Sequence, residues 1–590
     1  MKRLLFLLLT LAIVLLCLAG CNSPSEDQPT DQPTDLPTDS ATDKVTDKAP
    51  QEFNDGKLRI FADGNYYCRI VRPEGATRRE LDMYTAIRNI FKEVTGVMPP
   101  LATDFLSAGE SYDPNEFAIL IGKTKHEESA TLYSGINYSD FSAKLINKKY
   151  ALGFHDADTA ANALEKLRAL IKNSYKDGQI ILDESWNYSH SEKEVLENIP
   201  RYDGGVFTDV YEGAYGMQTI SIMNTNASEY NAYLTKIAAE GFTPYTDNTI
   251  GENLFATYKN ENYILTAMYF ARLNETRVTL EKTGSYSLPA LEEENVYTPT
   301  DAKCSITQIG LEESTGVQNG MSYVFKLADG SFLIIDGGAS TRNSIAQFYE
   351  VMESLADDPD NITVATWIIT HAHGDHLGLF YSLLMDEKFY EKFTVEQVIW
   401  SKVSDKQLAN LGEGNSLDYM DKMLARLEGA RIVIAHPGQQ FFIRNAVYTV
   451  LATVELVEPF TLTNLNETSV VGRLVVDGKS FMFPGDSHAI ETDKVTAIYA
   501  DYIKSDVVQV IHHGYQGGTD AFYSLVDPIT VLWPLGMKNY ETAEPPNTPM
   551  KTWSYSRWLF SEDSKVENIY VAGSDVLTLL IKDIPSHENS

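Results

Sequence analysis

The chain has 590 residues, with 82 acidic and 48 basic side chains, and its formal net charge at pH 7 is −34. A chain of this length exceeds what one hydrophobic core serves, so about three domains are expected. The acidic composition disfavours nucleic acid as a ligand, because proteins bind polyanions largely through Lys and Arg. The four cysteines are too few for a disulfide framework.

The first 20 residues are predicted to be an export signal. Lys2 and Arg3 precede an apolar run over residues 4–18, which is too short for a confident membrane span. The run ends in Leu-Ala-Gly followed by Cys21, a pattern that resembles the processing site of bacterial lipoproteins. The resemblance implies cleavage before Cys21 and a membrane lipid attached to its sulfur. The alternative is an ordinary secretory signal with an incidental cysteine.

Residues 21–50 are predicted to be a disordered tether. Thr-Asp recurs every four residues from Thr30 to Thr46, and prolines are interleaved with the first repeats. This stretch has no apolar face to bury, so it is expected to stay unfolded and partly extended. A spacer after a lipidated cysteine would hold the folded part at the outer face of a bacterial cytoplasmic membrane or cell envelope.

Two smaller units are predicted before the C-terminal half. Residues 51–195 alternate between helical and strand patterns, with a helix near 81–94 and strands near 117–122 and 150–154. This unit resembles the noncatalytic α/β domain that precedes the barrel in α-glucuronidases and related carbohydrate enzymes; a structural spacer is the alternative. Residues 200–302 are expected to form a small α+β unit. Neither unit contains a catalytic constellation.

The densest cluster of metal-ligand residue types is His-Ala-His-Gly-Asp-His at 371–376. The β-branched, apolar residues 363–370 predict a buried strand before it, and the apolar residues from Leu377 onward predict a helix after it. The cluster is therefore expected in the loop between the strand and the helix. A polar loop with incidental histidines is the alternative, but three histidines in six residues favour a metal site.

Spacing divides this cluster into two parts. In an extended segment, His371 and His373 point the same way, and Gly374 lets the chain turn so that Asp375 and His376 face a second point nearby. Two imidazoles then lie at one point, and a carboxylate and an imidazole lie at the next. These two groups of ligands are suited to binding two divalent cations. The stretch therefore predicts a binuclear metal site.

Three other strand ends supply the remaining donors that such a site needs. A hairpin at 474–483 is followed by Asp486, the candidate bridging carboxylate. A strand at 506–511 ends at His512 and His513, one of which is the candidate last ligand; the pattern leaves open which one. The strand at 332–335 ends at Asp336, which is expected to support the histidine cluster by hydrogen bonding.

Taken in order, these motifs resemble the metallo-β-lactamase fold superfamily over residues 303–585. The His-His-Gly at 512–514 and the segment Asn-Glu-Thr-Ser-Val-Val at 466–471 resemble its ComEC-type branch, found in competence DNA-uptake proteins and in bacterial phosphorylcholine esterases. The resemblance implies an α/β (α+β) fold, an αββα sandwich with two metal ions at one edge. Zinc is the expected metal, with manganese and iron as alternatives.

The resemblance also implies how the donors are shared. The first metal would be held by His371 and His373, and the second by Asp375, His376 and one histidine of the later pair, with Asp486 bridging. Many members have a further histidine between the first cluster and the bridging carboxylate. Here that region holds only His436, which we interpret as structural.

Other departures from the family concern neighbouring positions. Asn466 and Ser469 lie where the missing histidine would be expected, so the first metal is expected to be bound more weakly. Near the C-terminus, Asn-Thr-Pro at 547–549 replaces a Gly-His-Pro that the ComEC-type branch often has. His488, two residues after Asp486, is interpreted as a loop residue.

The function predicted from these features is an extracytoplasmic, membrane-anchored hydrolase of phosphodiester or related ester bonds. Asp375 and Asp486 are its candidate catalytic residues, and its substrate is expected to be a small or wall-associated ester, with nucleic acid disfavoured. One alternative is an extracellular nuclease of ComEC type, and another is a cell-surface binding lipoprotein with a degenerate metal domain. A flavodiiron-like redox protein fits less well, because those proteins have Glu at the position of His373.

Overall fold

The structure is a computed structural model that describes residues 57–587 except 75, 77, 107–110, 134–135, 137–140, 155–156, 191–197, 285, 311–318, 405–406, 409–410, 412–419, 421–423, 458–461, 543–552 and 574. The expected signal peptide, Cys21, the tether and the Asn-Thr-Pro at 547–549 lie outside the described residues. Among the residues described, no helix has the length and hydrophobicity that crossing a membrane requires.

The described residues divide into two compact units. One unit contains residues 57–210 and Ile220–Thr225, and the other contains Tyr211–Thr219 and residues 226–587. The three-domain division at residues 195–200 and 302 stays a prediction.

The first unit is built mainly on two sheets, in the orders β2-β1-β9-β8 and β10-β6-β7-β5-β3-β4. Apolar residues at helical spacing predict the helix near 81–94, and the structure has one over Arg78–Thr95 whose Tyr84, Ile87 and Phe91 are buried. Its elements are β1 Leu58–Ala62, β2 Asn65–Tyr66, β3 Arg69–Arg72, α1 Arg78–Thr95, β4 Leu101–Thr103, β5 Ala118–Ile121, α2 Glu127–Tyr133, β6 Phe141–Ile146, β7 Lys149–Gly153, α3 Ala157–Ser174, β8 Tyr175–Lys176, β9 Gln179–Leu182 and β10 Tyr188–His190.

An antiparallel meander of four strands precedes the C-terminal half. The helix before it begins after Asn226, whose side chain accepts from the amides of Ser228 and Glu229, and the Glu229 carboxylate accepts in return from the Asn226 amide. The elements of this stretch are β11 Val206–Glu212, β12 Gln218–Met223, α4 Ala227–Ala239, β13 Thr243–Ile250, β14 Asn253–Lys259, β15 Tyr263–Phe270 and β16 Glu275–Lys282.

The C-terminal half contains two large sheets. The first has the order β23-β22-β20-β19-β18-β17-β31, with β21 paired to β20, and the second has the order β24-β25-β26-β27-β28-β29-β30. The strands of the first are β17 Ser305–Gln308, β18 Tyr323–Lys326, β19 Phe332–Ile335, β20 Ile362–Ile368, β21 Phe393–Val395, β22 Gln397–Trp400, β23 Arg431–Ile434 and β31 Leu577–Leu580. Those of the second are β24 Gln440–Ile443, β25 Ala446–Ala452, β26 Val471–Val476, β27 Lys479–Phe483, β28 Val507–Gln509, β29 Thr530–Trp533 and β30 Asn568–Val571.

Helices cover the outer faces of both sheets. Because strand side chains alternate between faces, β19 directs Leu333 and Ile335 into the core between the sheets, while Phe332 and Ile334 pack on the helix side. The helices are α5 Arg342–Leu355, α6 Gly374–Leu384, α7 Glu387–Lys392, α8 Val454–Val457, α9 Ala489–Tyr499, α10 Asp520–Val526 and α11 Met537–Thr542.

Aromatic side chains join the two sheets across the central core. The rings of Phe325 and Phe481 meet edge to face at 5.1 Å between centroids, and Tyr323 lies 5.3 Å from Phe483. A separate apolar cluster lies on each outer face, beneath α5 and α6 on one side and α9 and α10 on the other. These layers confirm the αββα sandwich expected from the sequence.

Parallel strand ends bring the candidate site residues to one edge. In the first sheet β19, β20, β22 and β23 are parallel, and in the second β27, β28 and β29 are parallel. Asp336, His371, Asp486 and His512 each follow the carboxyl end of one of these strands. Ligand sites form at such edges in parallel sheets because loops from several strands meet there.

Candidate metal centre

Four donor atoms from three loops converge at this edge. His513 Nε2 lies 3.1 Å from Asp375 Oδ2, 3.4 Å from His376 Nε2 and 3.4 Å from Asp486 Oδ2. His376 Nε2 lies 3.2 Å from the same Asp486 oxygen. The described side chains of all four residues are buried. The structure therefore brings together the second donor set that the sequence predicts, with His513 as its histidine from the later pair.

These four spacings have the size expected between ligand atoms of one cation. With bonds of about 2.0–2.1 Å, the donors of a tetrahedral ion lie about 3.3 Å apart. The four measured spacings fall between 3.1 and 3.4 Å.

Two buried hydrogen bonds fix which nitrogen of each imidazole faces this point. His376 Nδ1 lies 2.7 Å from Asp336 Oδ2, and His513 Nδ1 lies 2.6 Å from the carbonyl oxygen of Pro534. The Asp336 carboxylate and the Pro534 carbonyl are both hydrogen-bond acceptors, so each Nδ1 carries the donated proton. Each Nε2 then faces the other candidate metal-ligand atoms. Asp336 thus lies where the sequence predicts it, in support of the histidine cluster.

Asp336 also anchors the start of the histidine loop. Its two carboxylate oxygens accept from the amide of Thr370 at 2.7 Å and from the Thr370 hydroxyl at 2.6 Å. Asp336 has a φ of 56°, in the left-handed region that non-glycine residues seldom adopt. Strained backbone of this kind clusters at functional sites, where the surrounding bonds hold it in place.

The helix after the cluster begins earlier than the sequence predicts. It starts at Gly374 and not near Leu377, so Asp375 and His376 lie in its first turn instead of in a free loop. The amides at a helix start attract a carboxylate such as Asp375. The chain turns at Gly374, as expected, by entering the helix there, and His376 lies beside His371, with 4.2 Å between their ring centroids.

Of the pair, His513 belongs to a buried group of possible metal donors with Asp375 and His376, and His512 lies farther from Asp486. Both have left-handed backbone, with φ of 47° and 55°, and Gly514 follows at 95°. Side chains of consecutive residues in a strand point to opposite faces, whereas this turn brings both imidazoles toward one carboxylate. His512 Nε2 lies 3.8 Å from Asp486 Oδ2, and His513 Nε2 lies 3.4 Å from the same oxygen.

The first donor set is looser than the second. His371 Nε2 lies 3.9 Å from Asp486 Oδ2 and 3.2 Å from His373 Nδ1. His512 approaches the same carboxylate oxygen and also contacts Asn466, whose Nδ2 lies 3.2 Å from His512 Nε2. Asn466 comes from the segment that replaces the missing histidine, and Ser469 of that segment accepts from the Asp486 amide at 3.1 Å.

Electrostatics of the cluster favour a cation. Burial opposes ionisation of Asp486, yet the imidazoles of His376, His513 and His512 hold the pKa of its carboxyl well below the usual range. Burial likewise opposes ionisation of Asp375, but the contact with His513 and the neighbouring imidazoles lower its pKa. Two buried carboxylates that stay ionised attract positive charge strongly, because the low-dielectric interior weakens screening.

Polar atoms without partners show that the donors suit a metal. Among the described residues, Asp486 Oδ1 and Asn466 Oδ1 are buried and accept no hydrogen bond. A buried oxygen of this kind is costly unless a cation, a water or a donor satisfies it. The set of imidazole nitrogens and carboxylate oxygens fits borderline divalent ions such as zinc, manganese and iron.

Two other histidines have clear positions. His436 is buried away from this cluster, with Nδ1 2.9 Å from Glu455 Oε1 and Nε2 3.5 Å from Glu281 Oε1. His488 lies in the loop after Asp486, in keeping with its interpretation as a loop residue, and is the N-cap residue of α9. Its ring stacks on His512 at 5.7 Å between centroids and lies 3.4 Å from the Glu467 carboxylate.

Sequence reasoning missed two supporting groups. Thr370 bonds to both oxygens of Asp336, and its position directly before His371 was the available signal. The Pro534 carbonyl follows β29, the next parallel strand, and no residue type marks a backbone acceptor. Only the fold brings it to His513.

Gly485 illustrates how closely the loops meet. A Cβ at this position would lie 3.1 Å from Thr370 Cβ and from Ser469 Oγ, and the residue has a φ of 59°. A side chain there would force the loop after β27 away from the histidine loop, so glycine is needed for Asp486 to reach the cluster.

The similarity of this chain to known proteins covers only part of its length. No protein-family model matches the chain. ComE operon protein 3 of Bacillus subtilis is 27% identical over 173 residues, which is 29% of this chain and 20% of that protein. The chain thus matches about a fifth of the length of this curated relative.

Solved structures with similarity include YhfI of Bacillus subtilis, a metallo-β-lactamase fold protein, with 13% identity over 47% of this chain and 100% of that one at a TM-score of 0.29. The diiron β-hydroxylase CmlA of Streptomyces venezuelae has 15% identity over 48% of this chain and 55% of that one, at a TM-score of 0.29. MEM-A1, a subclass B3 metallo-β-lactamase from a soil metagenome, has 14% identity over 38% of this chain and 82% of that one, at a TM-score of 0.22. Over part of its length the chain is thus similar to a ComE operon protein and to metallo-β-lactamase fold proteins.

Proposed function

We propose that the chain is a metal-dependent hydrolase that binds two divalent cations. The observation that carries this proposal is the set of donor spacings of 3.1–3.4 Å around His513 and Asp486. The second metal is assigned to Asp375, His376, His513 and Asp486. The first is assigned to His371, His373 and His512, with Asp486 shared between the two.

Metal ions bound in this way supply Lewis acidity and lower the pKa of bound water toward ~7. The chain's own residues do the positioning. Asp336 and the Pro534 carbonyl hold the protons of His376 and His513 at Nδ1, so both Nε2 atoms stay available as metal ligands. Asp375, at the start of α6, is assigned to orient the attacking water, and Asp486 to keep the two donor sets at a fixed separation.

The proposed substrate is a small or wall-associated ester, in particular a phosphodiester. The excess of 82 acidic over 48 basic residues supports this choice against DNA, because nucleic-acid affinity depends on Lys and Arg that neutralise phosphates. We further propose that the enzyme acts outside the cytoplasm, attached through acylated Cys21; the support for this location is the sequence pattern alone.

Metal analysis tests the site. Wild-type protein is expected to bind two equivalents of zinc or manganese by elemental analysis, and His376→Ala should lose the second. Asp486→Ala should weaken both sites, because both donor sets use this carboxylate. His436→Ala is the matched control, since this histidine lies outside the cluster, and its metal content should not change. Retention of two tightly bound metals by Asp486→Ala would contradict the assignment.

A substrate panel tests the reaction. Metal-loaded protein is expected to hydrolyse bis-p-nitrophenyl phosphate or phosphorylcholine esters faster than single- or double-stranded DNA, and Asp375→Ala should abolish the activity. DNA cleavage that outruns the small esters, and that Asp375→Ala abolishes, would assign an extracellular nuclease instead. Protein that binds metal and cleaves none of these would favour the binding lipoprotein.

A further inference from the structure

His512 is the third imidazole assigned to the proposed first metal. Its Nε2 lies 3.2 Å from Asn466 Nδ2 and 3.8 Å from Asp486 Oδ2, so this nitrogen faces the cluster. An amide nitrogen only donates hydrogen bonds, and a metal ion binds only an imidazole nitrogen that carries no proton. With either partner at Nε2, the proton of a neutral His512 is therefore on Nδ1.

The Nδ1 atom of His512 is a buried donor without an acceptor. In the part of the chain that the structure describes, it makes no hydrogen bond, although solvent does not reach it. The Nδ1 atoms of His376 and His513 differ, because they meet the Asp336 carboxylate and the Pro534 carbonyl at 2.7 and 2.6 Å. Buried donors are rarely left unpaired, and histidine ligands of metals usually have an acceptor behind them. An acceptor for this proton is therefore expected nearby.

His488 places a second imidazole beside His512. The two rings lie 5.7 Å apart between centroids and within 23° of parallel. His488 Nδ1 lies 3.4 Å from Glu467 Oε1. A carboxylate accepts hydrogen bonds, so this contact favours the neutral tautomer with its proton on Nδ1 and leaves Nε2 as an acceptor. Among the described residues this Nε2 is buried and has no hydrogen-bond partner.

Glu467 is itself held in place by two hydrogen bonds. Its oxygens accept from the Thr463 amide at 2.6 Å and from the Thr463 hydroxyl at 2.7 Å, and its side chain is only 11% exposed. Glu467 and Asn466 are neighbours in the turn Leu465–Thr468, within the segment that replaces the missing histidine. This one turn therefore contacts both imidazole rings, one through each residue.

We propose that His488 Nε2 accepts the Nδ1 proton of His512 through one bridging water, and so holds His512 Nε2 at the first metal. Each of the two unpartnered atoms supplies what the other lacks, and a single buried water can bond to both. Glu467 and His488 then support His512 as Asp336 supports His376. This inference rests on the proposed two-metal hydrolase. His488 is a positioning residue, because it acts through His512 and is assigned no contact with metal or substrate.

Zinc affinity measures this support. Full-length protein loaded with zinc is titrated with a chelator, which gives a dissociation constant for each site. His488→Phe keeps a flat ring but has no acceptor, so the first zinc should bind at least tenfold more weakly while the second keeps its affinity. His488→Gln retains an acceptor oxygen and should recover most of the loss. His126→Phe is the matched control, because this buried histidine of the first unit also stacks on a ring, that of Tyr112, and both affinities should stay as in wild type.

Proton NMR of the cobalt-loaded protein observes the proton itself. Paramagnetic Co²⁺ shifts the signals of its ligands away from the rest of the spectrum, so an imidazole bound through Nε2 gives a resolved, exchangeable Nδ1 signal. At saturating cobalt, one such signal in His488→Phe should exchange with solvent at least tenfold faster than in wild type. The other shifted signals should keep their wild-type exchange rates, whereas a general structural defect would change the signals of both sites.

The outcomes separate this inference from the proposed function. His488→Phe protein with wild-type zinc affinities and exchange rates overturns the inference and leaves the hydrolase proposal intact. Equal weakening of both metals in this variant also overturns it, because His488 would then support the fold and not one ligand. Wild-type protein that binds two metals but hydrolyses no ester contradicts the proposed function, while the inference is still decided, since neither measurement uses turnover. Wild-type protein that binds a single metal overturns both.

Discussion

At the scale of single residues, the decisive feature is the backbone at His512 and His513. Two successive non-glycine residues with positive φ cost of the order of 1–3 kcal/mol each. Here they bring both imidazoles within 3.8 Å of Asp486 Oδ2. The pattern His-His-Gly does not reveal this geometry, because neighbouring side chains in a strand point to opposite faces. That is why the sequence leaves the pair as alternatives, whereas the structure places His513 nearer than His512 to Asp486.

This strain predicts an unusual order of variant stability. His512→Gly should be about 1 kcal/mol more stable than His512→Ala in the metal-free protein, because glycine adopts a φ of 47° without a Cβ penalty. Both variants lose the same imidazole, so the difference reports the backbone alone. Chemical denaturation measures it. The same pair of substitutions at His488, with φ of −95°, is the control, and there alanine should be at least as stable as glycine.

At the scale of elements, buried charges connect β16, the segment after β23, and α8. His436 lies between Glu455 and Glu281, and nearby Arg277 pairs with Glu275 at 2.6 Å. Burial disfavours a charged imidazole, yet the two carboxylates raise the pKa of His436 well above 6.5. Removing one partner of a buried ion pair leaves the other without compensation. The interpretation of His436 as structural agrees with this position.

The pH dependence of this cluster follows from the direction of the shift. A pKa raised on folding stabilises the folded protein fully below the unfolded value of about 6.5, and this stabilisation is lost as the pH rises through the folded pKa. His436→Gln should therefore cost about 3 kcal/mol of unfolding free energy at pH 6, with a smaller loss near pH 10. Urea unfolding at both pH values measures this. A loss that grows with pH would show that His436 is neutral in the folded protein.

Elements with strong local patterns were predictable from the sequence, and their pairing was not. The strand predicted at 363–370 is β20, and the hairpin predicted at 474–483 is β26 and β27, joined at Asp477-Gly478 with both φ values positive. The start of α6 at Gly374 was missed, because a histidine at its N-cap makes no side-chain capping bond that a sequence pattern would reveal.

At the scale of the whole molecule, the site residues could be predicted because each follows a recognisable strand. Their partners could not, because Thr370, Asn466 and the Pro534 carbonyl reach the site through contacts distant in sequence. The looser first donor set agrees in direction with the expectation of a weaker first metal. That expectation stays a prediction until metal affinities are measured.

The attachment of the protein to a membrane through Cys21 is likewise a prediction, and it concerns the whole chain. Cys21→Ala should prevent lipid attachment and the cleavage that depends on it, leaving unprocessed precursor or released protein. Radiolabelled palmitate incorporation and fractionation of membranes measure the outcome. Cys68→Ala is the matched control, because this buried cysteine lies outside the predicted leader sequence and its loss should leave acylation intact. Acylated and correctly processed Cys21→Ala protein would refute the lipoprotein assignment.

The distribution of the donors over both sheets has a consequence for biosynthesis. His371 to His376 follow β20 in the first sheet, whereas Asp486 and His513 follow strands of the second. In the proposed metalloenzyme, a growing chain that has exposed only the earlier residues holds only part of the donor set, so the proposed metal sites would form only after the two sheets have packed together. If the protein is exported unfolded, as proposed, the metal ion would then be acquired in the compartment in which folding finishes.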